Sequence, residues 1–454
     1  MKKYDVIVIG LNLNGLVTAS LLAKKGIQTL VVKHKGEDFL VNHAPLIYSW
    51  DCSKGAMNYV LNELGIREKI KMKRPQYVDR IVSSTLTIER PWGWDAYFDF
   101  MVKEFPEEKD HLNFYFQEMK ELGEEWVRIL QTGSIFQAKN INKLIKYYNT
   151  KYEDFVFKLF RSMALKNILL MNTPREEVAL PVMAGYLVTQ IFDFHRIEGG
   201  YSKICQVLNE SFLNFGGVVE CEDTVEQIQR IDSDRFLIRC ENKGPFEGKR
   251  IVSTYDELLM LKHYFPGFER RDQLSYDANK IKPVTPLTIV LKMKEGFNFE
   301  AISEGFALYI IEDNKNWSFL KTNDNYQFKF IIRVYPQPEQ KRIILQVDIN
   351  VDYNNINQNV LRELTGFMVE KINEINPIVS FIEEENIFLP NQIEQLTGYY
   401  KGFFWRWAFK AEEMAANPFE IETPISGVFT TGQWGGAWFT SAIVAARNVL
   451  KSLQ

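Results

Sequence analysis

The chain has 454 residues, 46% hydrophobic and 14% aromatic, and a formal net charge of −4 at pH 7. That length exceeds one ordinary hydrophobic core and predicts two domains, and the composition excludes a disordered chain. So small a charge excludes capture of nucleic acid by bulk electrostatic steering. Cys52, Cys205, Cys221 and Cys240 show no Cys-x-x-Cys spacing, and His34, His43, His111, His195 and His263 do not cluster. Reduced thiols and no metal site are therefore expected. Met-Lys-Lys leads straight into a strand, unlike a secretory signal, and no uncharged run reaches the ~20 apolar residues that cross a bilayer. A cytoplasmic protein is the expectation.

The first thirty-three residues read as strand, tight turn, helix and strand. Asp5 to Ile9 is an apolar, β-branched run suited to a buried parallel strand. Gly10 begins the turn, and Gly15 opens a helix whose stripe is Leu16, Ala19, Leu22 and Ala23. Lys25-Gly26 ends that helix, and Thr29 to Val32 is the next strand. This is the order of a βαβ unit that seats a dinucleotide pyrophosphate on a helix N-terminus. In such a unit the second glycine leaves bare backbone facing phosphate, and an acid ending the second strand bonds a ribose hydroxyl. Asn12 and Lys33 occupy those two positions. The expectation is that the Asn12 side chain intrudes on the pyrophosphate, so that Asn12→Gly raises cofactor affinity. Lys33 has only donors to offer, so Lys33→Glu restores the acceptor.

A helix over Met57 to Leu64 is predicted to stop at Gly65, and residues 76–194 read as helix-rich, with three- and four-residue apolar spacing over 104–130 and 141–170. Within 139–166, seven Lys and Arg interleave with Tyr147, Tyr148, Tyr152, Phe155, Phe157 and Phe160. Two readings stand: a solvated basic face over an aromatic core stripe, or an interfacial helix making peripheral membrane contact. A helix follows Gly199-Gly200 and ends at Gly216-Gly217, with strands predicted over 218–228 and 234–241. Further strands are predicted over 285–293, 306–311, 329–334 and 342–350, then a helix over 360–375.

The C-terminal segment reads as a short strand, the Gly432-Gln433-Trp434-Gly435-Gly436 turn, and a helix from near Trp438 to the chain end. Its small residues Ser441, Ala442, Ala445 and Ala446 permit close backbone approach, and its first turn aims free N–H groups at the turn. Phe403, Phe404, Trp405, Trp407, Phe409, Trp434 and Trp438 offer flat apolar walls for a substrate; packing between domains explains them equally well.

Four ordered blocks carry a resemblance: Gly10 with Asn14-Gly15-Leu16; Glu198-Gly-Gly200-Tyr-Ser-Lys-Ile with Gly216-Gly217-Val-Val and Val225-Glu-Gln-Ile228; Arg250-Ile-Val-Ser253-Thr254; and Gly398-Tyr-Tyr-Lys-Gly402-Phe-Phe-Trp-Arg-Trp407 leading into Gly432-Gln-Trp434. In these the chain resembles the phytoene desaturase and carotenoid isomerase family of FAD-dependent oxidoreductases, related to the flavin amine oxidases. The resemblance implies an α/β protein: a discontinuous Rossmann-like FAD-binding domain (1–75, 195–260 and 400–454) interleaved with a mixed-sheet-plus-helix substrate domain (76–194 and 261–399). It implies that Gly10, Asn12, Asn14, Gly15 and Leu16 line the pyrophosphate. Lys33 takes the ribose position, Val225 offers backbone to adenine, and Gly432 and Gln433 approach the ribityl chain. Ala437, Trp438, Phe439, Thr440 and Ser441 flank the flavin ring, with Phe404, Trp405, Trp407 and Trp434 beside the substrate.

The implied activity is desaturation, saturation or double-bond isomerisation of a hydrophobic small molecule, with amine oxidation a further option. Asn12 and Lys33 favour the alternative of a binding or scaffold protein that keeps the fold without FAD. No catalytic side chain stands out. Glu198, Lys401, Arg406 and Lys410 are the available acids, bases or anchors, since the cofactor itself carries the redox step.

Overall fold

The computed structural model describes residues 2–33, 48–49, 55–84, 87–134, 137–171, 178–193, 195–255, 257–265, 285–302, 307–312, 330–349, 358–397, 421–431 and 438–454. Two sheets drawn from interleaved stretches of chain organise it. In the first, strands Val218–Arg230, Thr29–Lys33, Lys2–Ile9, Phe246–Ser253 and Val428–Thr430 lie side by side and parallel. Strand Phe236–Cys240 runs antiparallel to both Val218–Arg230 and Phe246–Ser253. The chain leaves the central strand Lys2–Ile9 toward one edge and later returns to its other side. The order therefore reverses between Lys2–Ile9 and Phe246–Ser253, and open α/β sheets bind ligands in the crevice at such a point.

Val6, Ile7, Val8 and Ile9 are wholly buried because both faces of the sheet are covered. Val6 and Val8 pack on Ala19 and Leu22 of helix Leu13–Lys24. Ile7 and Ile9 pack on Met260, Leu261 and Tyr264 of helix Glu257–Tyr264. Helix Leu13–Lys24 is in turn flanked by helices Gly200–Asn214 and Trp438–Ser452. The latter contributes Ala442, Ala445 and Ala446, small enough for close approach.

The second sheet has strand order Ile382–Phe388, Thr285–Met293, Arg342–Ile349, Phe330–Gln337, Leu308–Glu312, Arg80–Val82, Thr87–Glu89. All neighbours are antiparallel except Leu308–Glu312 with Arg80–Val82. One face (Leu287, Ile289, Leu291, Ile343, Leu345, Val347) packs on Leu361, Leu364, Met368 and Ile372 of helix Gln358–Ile375. The other face turns Val290, Tyr309, Tyr335 and Ile344 toward the helical layer built from helices between Trp94 and Asp193.

Most predicted elements recur, and some of the differences have a plain physical reason. The helix-rich stretch also holds the strand pair Arg80–Val82 and Thr87–Glu89. Its three-residue strands are too short to show periodicity. Strand Ile382–Phe388 was not predicted because Glu383, Glu384 and Glu385 mask it; it is an edge strand, and charge there deters edge-to-edge pairing. Residues 139–166 do not form one continuous helix. They begin a run of three short helices, Ile141–Tyr147, Tyr152–Leu159 and Met163–Leu170. Tyr147, Tyr152 and Phe160 point into the core, and Lys143 is held by Glu118 (3.1 Å) and Glu121. Among the described residues no helix is long and apolar enough to cross a membrane.

Two buried carboxylates staple this region. Glu108 Oε1 accepts from Arg161 N–H and Ser162 N–H, both at 2.6 Å, and its Oε2 lies 2.7 Å from His111 Nδ1. Burial pushes the Glu108 carboxyl up, but these hydrogen bonds outweigh it and hold it below the ordinary glutamate range. Asp79 is wholly buried and forks with Arg90, whose Nε is 3.0 Å from Oδ1 and whose guanidinium lies over the Tyr97 ring. Here burial raises the Asp79 carboxyl by more than Arg90 lowers it.

Asp79→Asn leaves the Arg90 charge buried without its partner and is expected to cost about 3–5 kcal/mol in urea unfolding. The Glu108 contribution has the opposite pH logic to a raised group. A depressed folded-state pKa stabilises fully above the ordinary glutamate range and loses that stabilisation as pH falls through the lowered value. Glu108→Gln is expected to flatten this acid limb of the stability–pH curve and to lower stability at neutral pH.

Candidate dinucleotide and substrate site

At the switch point the ends of four parallel strands are tied level. Gly10 N–H donates to Val32 O (2.8 Å), Thr254 N–H to Ile9 O (2.9 Å) and Thr431 N–H to Ser253 O (2.9 Å). Gly10 has φ 133°, and a Cβ there would stand 2.0 Å from Thr254 Oγ1. A Cβ on Gly15 would stand 1.9 Å from Gly10 O. Both glycines are therefore imposed by contact: strand, turn and helix touch backbone to backbone.

The Asn12 side chain is engaged within the protein. It is the N-cap of helix Leu13–Lys24, 5% exposed, and its Oδ1 accepts from Gly15 N–H at 3.2 Å. Its Nδ2 donates to Thr254 Oγ1 at 2.7 Å, and that hydroxyl donates to Ile9 O at 3.2 Å. The side chain is turned inward as a clasp between the two strands. Leu16 is a core residue, buried with Leu61, Val207 and Ile443. Asn14, by contrast, in the first turn of the helix, keeps a buried side-chain oxygen with no hydrogen-bond partner among the described residues.

Lys33 and Val225, read from distant segments, come together. Lys33 ends its strand half-buried, in register with Thr224, and Val225 follows where strand Val218–Arg230 changes partner to Cys240. The C-terminal residues divide differently. Trp438 begins the last helix and Phe439 packs partly buried beside Leu13 and Leu16. Thr440 Oγ1 donates to Leu130 O at 2.5 Å, and Ser441 Oγ lies 3.4 Å from Thr431 Oγ1. Both are buried, and their hydroxyls anchor the helix. Gly432, Gln433, Trp434, Ala437, Phe404, Trp405, Trp407, Lys401, Arg406 and Lys410 lie outside the described residues. Glu198 is exposed, its backbone N–H donating to Lys71 O at 3.0 Å. No group of three or more metal-ligating side chains occurs among the described residues.

A polar group not singled out from the sequence sits on the helix-facing side of the second sheet. Register aligns Thr288, Gln346, Arg333 and Tyr309 in one row across four strands. Gln346 Nε2 donates to Thr288 Oγ1 at 3.1 Å, and Arg333 forks onto Asp348 at 2.7 and 2.6 Å. Burial pulls the Arg333 guanidinium down, but Asp348 more than offsets this and holds it above the ordinary arginine value. Burial, then the proximity of Tyr335 and Tyr186, pushes the Tyr309 phenol well up. Burial likewise raises Tyr186, with Tyr335 beside it. At neutral pH these phenols are uncharged O–H groups with aromatic faces. The signal was present as a period-2 alternation, Arg333-Val-Tyr335 and Gln346-Val-Asp348, polar positions between apolar ones.

These residues fit a dinucleotide cofactor. The turn is tight, the helix N-terminus carries partial positive charge, and an orphaned buried amide oxygen at Asn14 marks a polar contact left unfilled. Asn and its flipped amide differ only in assignment, so Asn14 can present a donor there.

The sequence matches no protein-family model and no curated protein. Its fold matches solved structures over nearly the full length of both chains. A triple mutant of putrescine oxidase, made to redesign its cofactor binding, superposes with TM-score 0.62 at 12% identity, covering 99% of each chain. Cyclohexylamine oxidase from Brevibacterium oxydans IH-35A does so with TM-score 0.58 at 14% identity, covering 99% of each. Rab GDI from Plasmodium falciparum gives TM-score 0.53 at 11% identity, covering 100% of this chain and 98% of that one. The likeness to phytoene desaturases rests on the four sequence blocks, and none of these three structures is one.

Asn12→Ala removes the cap and the Thr254 clasp together, and is expected to destabilise the protein by about 1–2 kcal/mol in chemical denaturation. Asn12→Gly is expected to destabilise without tightening FAD binding in a calorimetric titration.

Proposed function

We propose that the chain is a FAD-dependent oxidoreductase acting on an apolar or amphipathic small molecule. The observation that carries this reading is the interlocked Gly10–Gly15–Thr254 turn with Asn14 unsatisfied above it, at the sheet's switch point. In this reading the start of helix Leu13–Lys24 and Asn14 hold the pyrophosphate, and Lys33 with the backbone near Val225 borders the adenosine end. A bound flavin supplies reversible uptake of two electrons, which the side chains cannot. The chain's own part is to orient substrate and exclude water. The rings of Tyr186, Tyr309 and Tyr335 lie with apolar neighbours Val290 and Ile344, and the Tyr309 phenol adds a polar group, which suits a substrate with one polar end. Arg333 is committed to Asp348 and serves to position, not to take a proton.

Desaturation, saturation and double-bond isomerisation follow from the sequence blocks; amine oxidation is supported by the fold shared with putrescine and cyclohexylamine oxidases. Entry of substrate from a membrane surface through 139–166 belongs to the same proposal. Ile141, Ile145 and Tyr148 stand exposed there, and sedimentation with lipid vesicles tests it.

One observation favours a second reading. Asn12 satisfies the Gly15 N–H itself, using one donor of the helix N-terminus. A protein that keeps this fold as a cofactor-free binding scaffold would have the same clasp, and the fold is also that of a Rab GDI.

Purified protein decides between them. Bands at roughly 370 and 450 nm, with FAD released on denaturation, are the expected result. Gly15→Val is expected to abolish flavin binding by prising the helix from Gly10. A colourless protein that cannot be reconstituted with FAD supports the scaffold.

A further inference from the structure

Helix Ile141–Tyr147 carries apolar side chains on two faces, where its packing uses one. Leu144 and Tyr147 are buried in the core. Ile141, Ile145 and Tyr148 follow one another at steps of four and three residues, so they form a second stripe beside the buried one. Tyr148 keeps helical backbone (φ −57°, ψ −32°) and continues the stripe past the last turn. All three are exposed, Ile145 by 57%. Phe114 of helix Lys109–Thr132, 44% exposed, stands at the same corner, because the Phe155 ring lies 6.4 Å from it and 6.1 Å from Tyr147. Apolar side chains exposed singly need no explanation; grouped in this way they mark a contact surface.

Charge indicates what that surface meets. Residues 139–166 hold seven Lys and Arg against two carboxylates, Glu153 and Asp154, a formal +5 in a chain of net −4. Lys143 is spent on Glu118 and Glu121. Lys139, Lys146, Lys158 and Arg161 are exposed, and no carboxylate among the described residues pairs with them. An apolar stripe with cations beside it suits a medium that is apolar within and anionic at its rim, as a bilayer with anionic headgroups is. A second copy of this chain, paired about a two-fold axis, brings the same cations face to face. A protein partner ordinarily takes roughly 20–30 residues a side, far more than this stripe offers.

We propose that Ile141, Ile145 and Tyr148, with Lys139 and Lys146 beside them, dock the protein on an anionic lipid surface. The short helix lies in the plane of the headgroups. Its stripe enters the acyl boundary, and the lysine ammonium groups stay at the phosphates. Tyr148 suits the headgroup level, because its ring is apolar and its hydroxyl polar. Substrate entry from a membrane surface is the reading on which this rests; the lipid charge and the contacting side chains are what it adds.

Vesicle flotation tests it, with phosphatidylcholine alone compared with an equimolar mixture of phosphatidylcholine and phosphatidylglycerol. The wild type is expected to float with the anionic vesicles at low salt and to be released as salt rises. Ile145→Ser, and separately the pair Lys139→Gln with Lys146→Gln, are each expected to weaken binding about tenfold or more. Their thermal midpoints are expected to match the wild type's, because these side chains are exposed. Val379→Ser, an apolar position 57% exposed on another element, is expected to change nothing. The proposal is overturned if the wild type ignores the anionic vesicles or binds phosphatidylcholine as well. It is equally overturned if either stripe variant, once folded, binds as the wild type does, or if Val379→Ser weakens binding as much. A dimer in solution that Ile145→Ser dissolves assigns the stripe to a second copy and also overturns it. Flavin bands are read separately: a colourless protein that floats contradicts only the oxidoreductase reading, and a yellow one that does not float contradicts only this one.

Discussion

The clasp at the first sheet's switch point holds the rest in place. Gly10 and Gly15 meet backbone to backbone, Thr254 fills the space a Cβ would need, and Asn12 ties the helix start to both. Its parts come from residues 242 apart in sequence, Asn12 and Thr254, so it forms only when the strand after the hairpin has docked beside the first. Once it forms, the helix N-terminus is fixed above the crevice, and the groups beside it keep one orientation. Asn12, the departure from the glycine motif, is part of the clasp.

The second sheet follows a different rule. Its face on helix Gln358–Ile375 is aliphatic at its centre, while the face toward the layer of helices between Trp94 and Asp193 mixes phenols, a forked ion pair and amides with aliphatic residues. Polar groups are expensive on a buried face unless each is partnered. Arg333–Asp348, Gln346–Thr288 and Asp79–Arg90 meet that demand; among the described residues the oxygen of Gln340 does not.

Much of this was legible in the residues. The apolar run before Gly10, the stripe through Leu16, Ala19 and Leu22, and the stop at Gly65 (φ 70°) each follow from local sterics and periodicity. The strands at 285–293 and 342–349 likewise announce themselves by long β-branched runs. Three-residue strands such as Arg80–Val82 carry no period, and the acidic edge strand Ile382–Phe388 looks like a loop because its charges serve the surface. At the turn, spacing marked Gly10 and Gly15, whose backbones meet. It could not show that the Asn12 side chain turns to Thr254, because a motif records which residue stands at a position, not which way its side chain turns.

The sequence by itself determined an α/β chain whose first unit is a strand, glycine turn and helix, because backbone sterics and hydrophobic period act within a few residues. The partners were decided only by the tertiary structure. Thr254 meets Asn12, Lys33 meets Thr224, and Thr440 is spent on Leu130. Arg342 meets Gln337. Burial and hydrogen bonding are satisfied between segments far apart in the chain, and no local pattern says which distant group will arrive.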